Sequence, residues 1–133
     1  MENEFIAGAT QEYNLDKKEI VNLLKKSGEE LIPLNRLASY VCDTPVSLVN
    51  LQDENFQFTV SKFGDWDGQT IPVEETVCQF TVEEEDILVI NDTHRDERTN
   101  SIKELTDNQS IRFYAGVPIK SPDGSRIGAF CAI

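Results

Sequence analysis

A chain of 133 residues has room for one domain, and one of this size buries roughly two-thirds of the surface it exposes when unfolded, enough for a self-sufficient core. Its 24 acidic and 12 basic side chains leave a net charge of −12, a field that repels phosphate and makes nucleic acid and anionic membrane poor partners. Cys42, Cys78 and Cys131 form an odd set without CxxC or CxxH spacing, so neither a disulfide framework nor a zinc module is indicated, a reducing, cytoplasmic compartment is expected, and no apolar stretch approaches the ~20 residues of a membrane span.

Residues 1–14 show no clear period and read as an arm or linker remnant. Leu15, Ile20, Val21, Leu23 and Leu24, interleaved with charges, predict an amphipathic helix over 15–26 that stops near Ser27 and Gly28. Leu31, Leu34, Leu37, Ala38, Val41 and Cys42 predict a second helix with one apolar stripe. Pro33 is tolerable only near its first turn, and Pro45 ends it by Asp43. The chain thus divides into an arm and linker helix over 1–30 and a domain over 31–133.

From Val46 the period becomes two. Residues 46–52 and 56–63 predict antiparallel strands joined by a turn at 53–55, with Phe56, Phe58 and Val60 sharing a face. Residues 64–74 resemble a functional loop, and 75–82 a short helix. The dense block Glu83-Glu84-Glu85-Asp86 reads as a solvated turn or helix end. Ile87-Leu88-Val89-Ile90 is an unbroken apolar run, as expected of a strand covered on both faces. A polar segment follows from Asn91, passing into a weak helix around 102–105.

The strongest local signal is the pair 111–120 and 126–133 around Pro122-Asp123-Gly124, a hairpin with its turn residues in place. Alternation puts Phe113, Ala115, Val117 and Ile119 on one face, expected to be core. Arg112, Tyr114 and Gly116 fall on the other, a mixture that suits a lined cavity. These elements, without regular βαβ alternation, predict an α+β fold around one mostly antiparallel sheet of five to six strands.

The residues Arg36-Leu-Ala-Ser-Tyr-Val-Cys-Asp-Thr-Pro-Val-Ser-Leu-Val, Val77-Cys-Gln-Phe, Val89-Ile-Asn-Asp followed by Asp96-Glu-Arg, and Ile111-Arg-Phe-Tyr-Ala-Gly-Val-Pro-Ile leading to Ile-Gly-Ala-Phe-Cys come in an order that resembles a GAF domain. That family is a small sensor module of bacterial signalling proteins and phosphodiesterases. The resemblance covers about 31–133. It implies helices on one face of the sheet and a pocket closed by loops and a short helix on the other. It also implies a further helix after the last strand; the chain stops at Ile133 and so reads as a truncated piece.

On this resemblance the ligand-binding candidates are Trp66, Cys78, Phe80, Asp92, His94, Arg98, Arg112 and Tyr114. Each also has a plainer reading: His94 as an exposed loop histidine, Cys78 as a small buried apolar residue, Asp92, Asp96 and Glu97 as caps and ion-pair partners, the aromatics as core and rim. Cys78 is the candidate for reactivity, since a short helix start can lower a thiol pKa. The 91–110 segment has no cysteine, so a covalently attached bilin is not expected, nor is the chemistry of free methionine-(R)-sulfoxide reductase, which needs a catalytic cysteine there. No catalytic residue or metal ligand is assigned, and no cofactor is named. The expected role is a non-catalytic sensory domain that binds a small ligand or mediates dimerisation to control an output module such as a histidine kinase or cyclic-dinucleotide enzyme, with a homodimer through the terminal helices as the expected assembly. The alternatives are a pure dimerisation module with a vestigial pocket and a thiol oxidoreductase.

Overall fold

The computed structural model describes residues 17–68, 70–106 and 111–133. The expected arm over 1–14, Leu15 of the first helix and the end of the 91–110 loop lie outside them. Helix α1 spans Lys17–Lys26 and α2 spans Gly28–Cys42; strands β1 and β2 are Ser47–Gln52 and Phe56–Phe63. The two-residue strand β3 (Ile71–Pro72) runs into a 3-10 turn, Val73–Glu75, and then α3, Cys78–Thr81. Strand β4 (Leu88–Ile90), helix α4 (Lys103–Thr106) and the hairpin β5 (Tyr114–Lys120) and β6 (Arg126–Ala132) complete the chain. The strands form one antiparallel sheet in the order β3-β2-β1-β6-β5-β4. This is the α+β architecture read from the sequence.

Both hairpin turns follow from their side chains. Asp53 Oδ1 accepts from the amides of Asn55 and Phe56 at 2.8 and 2.7 Å, closing the β1–β2 turn. In the second turn Gly124 takes φ +88°, where a side chain would strain the backbone, and Asp123 accepts from Ser121 and from the Ser125 amide. Helix α2 ends at Asp43, whose left-handed φ of 53° lets its amide reach the Ser39 carbonyl.

Helix α2 starts three residues earlier than its apolar pattern suggests, so Pro33 lies beyond the first turn and forfeits the bond to the exposed carbonyl of Glu29. Its stripe also points the other way. The residues buried against β1 and β2 are Gly28, Asn35 and Ser39, while Leu34, Leu37 and Val41 are 53%, 58% and 75% exposed. Asn35 Nδ2 donates to Ser47 Oγ at 3.2 Å and its Oδ1 accepts from Ser61, so the helix meets serines rather than an apolar sheet. Gly28 lies against the Val60 carbonyl, where any side chain would collide.

Ala115, Val117 and Ile119, expected to be core, share this α2 side with Phe130, and only Ala115 is buried among them. The main core lies on the opposite side, where α3, α4 and the 91–102 segment pack Val77, Ile102, Leu105 and Ile111 over Leu48, Ile90, Tyr114, Ala129 and Cys131. Strand β4 is an edge strand rather than one covered on both faces, with Ile87 and Val89 exposed. The polar 91–101 segment is pinned rather than loose: Thr93 Oγ1 donates to the Ile111 carbonyl at 2.7 Å and Thr99 Oγ1 to the Thr93 carbonyl at 2.6 Å. In the acidic block, Glu85 pairs with Arg126 and Lys120.

Candidate functional site

Four elements converge on one sulfur. Tyr114 turns its ring over its own strand, which is possible because Gly116 has no side chain: a Cβ there would come within 2.5 Å of Tyr114 Oη. Cys131 lies opposite Gly116 in β6, Leu48 lies opposite Cys131 in β1, and Asn50 follows on the same face. Helix α3 lowers Cys78 onto this patch. Tyr114 Oη donates to Cys78 Sγ at 3.3 Å and Asn50 Nδ2 donates to the same atom at 3.5 Å. Because the Tyr114 proton is thus committed, Thr81 Oγ1, 2.6 Å from Tyr114 Oη, is the donor of that pair. Asn50 is oriented in turn by Thr59 Oγ1, which donates to its Oδ1 at 2.7 Å.

These groups line a cavity with about 10 Å³ of free space, room for roughly one water. Val77, Leu105, Ile111 and Leu48 supply its apolar wall, and Trp66, Glu104 and Ile133, each partly exposed, form its mouth. The face therefore holds a packed core with a narrow opening, where a roomier lined cavity was expected, because Tyr114 occupies the space that Gly116 leaves.

The electrostatics are uneven. The Cys131 thiol, placed to donate, holds Cys78 below the ordinary thiol value, assisted by Tyr114 and Asn50 and opposed by burial and by Glu104. The same pairing and burial push Cys131 well up. Burial, then the nearby sulfurs, push the Tyr114 phenol well up. Glu104 is pushed up to about 7 by burial, although the Val77 amide donates to its Oε1 at 3.3 Å.

A model of the GAF domain family matches residues 30–133. The chain belongs to the GAF family. A cyclic di-GMP phosphodiesterase of Pseudomonas aeruginosa is 25% identical over 115 residues; the match covers 85% of this chain but spans 19% of that protein's length. Solved structures similar in fold include a type II free methionine-R-sulfoxide reductase from Thermoplasma acidophilum, with TM-score 0.65 and 14% identity over 82% of this chain and 75% of that one. The GAF domain of an Acinetobacter phosphoenolpyruvate-protein phosphotransferase gives TM-score 0.59 and 16% identity over 82% of this chain and 64% of that one.

Within this GAF domain the residues singled out from the sequence separate into two groups. Trp66, Cys78 and Tyr114 line the cavity, and Phe80 packs against the core beside it. Asp92, His94, Arg98 and Arg112 lie outside it. Arg112 precedes β5 and turns outward to form two bonds of 3.0 and 2.9 Å with Asp92, so it does not share the Tyr114 face as alternation suggested. That contact holds Asp92 at about 2. Arg98 pairs with Asp96 at 2.9 Å, and His94 is exposed, its amide bonded to Asp92. Sequence reasoning missed Cys131, Asn50 and Glu104. Counting back from the Pro122–Gly124 turn would have set Cys131 opposite Gly116; nothing local marks Glu104.

Proposed function

We propose that this GAF domain is a non-catalytic sensory module of a cytoplasmic signalling protein, with the Tyr114–Cys78–Glu104 cavity as the site that responds to a small molecule. The observation that carries this reading is the company Glu104 keeps. A carboxyl at the mouth of an apolar cavity, near-neutral in pKa and met among the described residues by the Val77 amide, is costly in an inert core and useful where a polar ligand enters. The free space admits about one water, so a ligand must displace Trp66 or Ile133, and that displacement is the conformational signal. The match to a fifth of a much longer phosphodiesterase supports an output module joined to such a domain.

Turnover is not part of this reading. The 91–110 segment has no cysteine, where the resemblance to the reductase implies a catalytic one. Incubation with methionine sulfoxide and a thiol reductant should give no Cys78-dependent reduction. Dimerisation belongs to the same proposal: the outward row Leu34, Leu37 and Val41, with half-buried Val117, Ile119 and Phe130, is apolar surface that a second copy would cover.

Thermal melting against free amino acids, methionine sulfoxide and common nucleotides at millimolar concentration tests the sensory role, because anything that binds only the folded state raises Tm. A saturable rise with one compound class is expected. No rise with any of them would leave the second reading, a dimerisation module, as the better account.

A further inference from the structure

We propose that Cys78 and Cys131 form a peroxide-responsive dithiol, in which Cys78 is the sulfur attacked and Cys131 the sulfur that resolves it into an intradomain disulfide. The donor set points this way. A neutral thiol is a weak acceptor and gains little from several donors, whereas Tyr114 Oη at 3.3 Å, Asn50 Nδ2 at 3.5 Å and the Cys131 thiol all converge on Cys78 Sγ. Such convergence suits a thiolate. Thr81 and Thr59 hold the first two donors in place by bonds of 2.6 and 2.7 Å. The second sulfur lines the same cavity and is in hydrogen-bond contact with the first. Glu104 lines the same cavity and is the carboxyl there that can release and recover a proton.

The chemistry balances with hydrogen peroxide, or another small peroxide, as the two-electron oxidant. Cys78 thiolate attacks one peroxide oxygen and the O–O bond breaks, leaving Cys78 sulfenic acid and hydroxide, which takes the Glu104 proton to become water. The Cys131 thiol then displaces the sulfenic oxygen; the S–S bond forms, its S–H proton leaves with that oxygen as a second water, and Glu104 is reprotonated from solvent. Two thiols have lost two electrons and the peroxide has gained them. A bond between α3 and β6 would fix the floor of the cavity. That consequence deepens the sensory reading and rests on it, whereas the sulfur chemistry stands apart and is read separately.

The test uses the whole chain with Cys42, the exposed thiol, replaced as Cys42→Ser, so that intermolecular bridges do not intervene. Reduced protein is treated with hydrogen peroxide, quenched with an alkylating agent and weighed intact. The expected product is lighter by two hydrogens, resists alkylation and yields a Cys78–Cys131 cross-linked peptide. In Cys131→Ala the product should stop at a sulfenic acid on Cys78 that a dimedone-type reagent traps; in Cys78→Ala, Cys131 should stay reduced at the same dose. Tyr114→Phe removes one donor and should move the pH profile of oxidation upward, which a purely structural role would not do. Near-UV circular dichroism confirms that each variant is folded. Absence of the cross-link at doses that oxidise Cys42 in the unsubstituted chain, or oxidation of Cys131 in Cys78→Ala, overturns the proposal. A cross-link without any ligand-induced rise in Tm would uphold it while counting against ligand sensing.

Discussion

On one side of the sheet α2 sets Asn35 and Ser39 against Ser47 and Ser61 and turns its leucines to solvent; on the other, Tyr114, Cys78 and Cys131 are sealed beneath α3 and α4. The first contact is held by hydrogen bonds in a thin polar seam. The second is held mainly by apolar burial, with a polar cluster around Cys78 and the buried threonines Thr93 and Thr99 bonded to backbone carbonyls. The outward leucine row has no internal partner, whereas the close-packed core yields only through a defined opening. The difference suggests a division of labour, with response on the Tyr114 side and association or transmission on the α2 side.

Substitutions can break this comparison. Tyr114→Ala should be the most damaging, at about 3–5 kcal/mol, because the ring is 1% exposed and its loss empties the space over Gly116. Chemical denaturation measures it; a cost below about 1 kcal/mol would mean that this side is not the core. Asn35→Ala should cost about 1–3 kcal/mol by leaving Ser47 and Ser61 without their partner. If it costs nothing in the same denaturation experiment, the seam does not hold α2.

The pH dependence separates the sides further. Glu104 titrates near 7 in the folded chain against 4.5 ordinarily, so the folded state binds its proton more tightly. Its contribution is fully present below about pH 4.5 and is lost as pH rises through about 7, so Tm should fall over that interval. Glu104→Gln should flatten that part of the profile, by on the order of 1 kcal/mol or more. An unchanged profile would place the carboxylate in water. Smallest in stability is Leu37→Ala on the outward row, expected to lie within about 0.5 kcal/mol. Leu34→Glu with Leu37→Glu should nonetheless convert a dimer to a monomer in light scattering, and a wild-type mass that stays near 15.0 kDa at all concentrations would remove the pairing surface.

Much of the fold was legible. The β5–β6 hairpin, its Pro122-Asp123-Gly124 turn, both long helices and the β1–β2 pair follow from period and turn chemistry, which are local. The direction of the α2 stripe was not, because an amphipathic pattern locates an apolar face without saying what it meets; serines on β1 and β2 selected the polar face instead. The run Ile87–Ile90 misled for a related reason: apolar continuity does not reveal that β4 sits at an edge. At the site, Trp66, Cys78 and Tyr114 were within reach of motif and alternation, and Cys131 was recoverable from the hairpin register. Arg112 was misplaced because β5 begins at Tyr114, so alternation does not extend to it. Glu104 sits on a four-residue helix where any carboxyl would pass for a surface charge, and only the tertiary fold brings it to the cavity.

The central claim is that the Tyr114 side is a responsive site, and Trp66 reports on it directly, being the sole tryptophan and part of the cavity mouth. Its emission should shift saturably with whichever compound raises Tm, and the shift should weaken in Tyr114→Phe and in Glu104→Gln while surviving in Arg112→Ala, whose guanidinium faces Asp92 outside the cavity. A compound that raises Tm with no change in Trp66 emission, or whose effect depends on Arg112 and not on Glu104 or Tyr114, would place the response elsewhere and contradict the account.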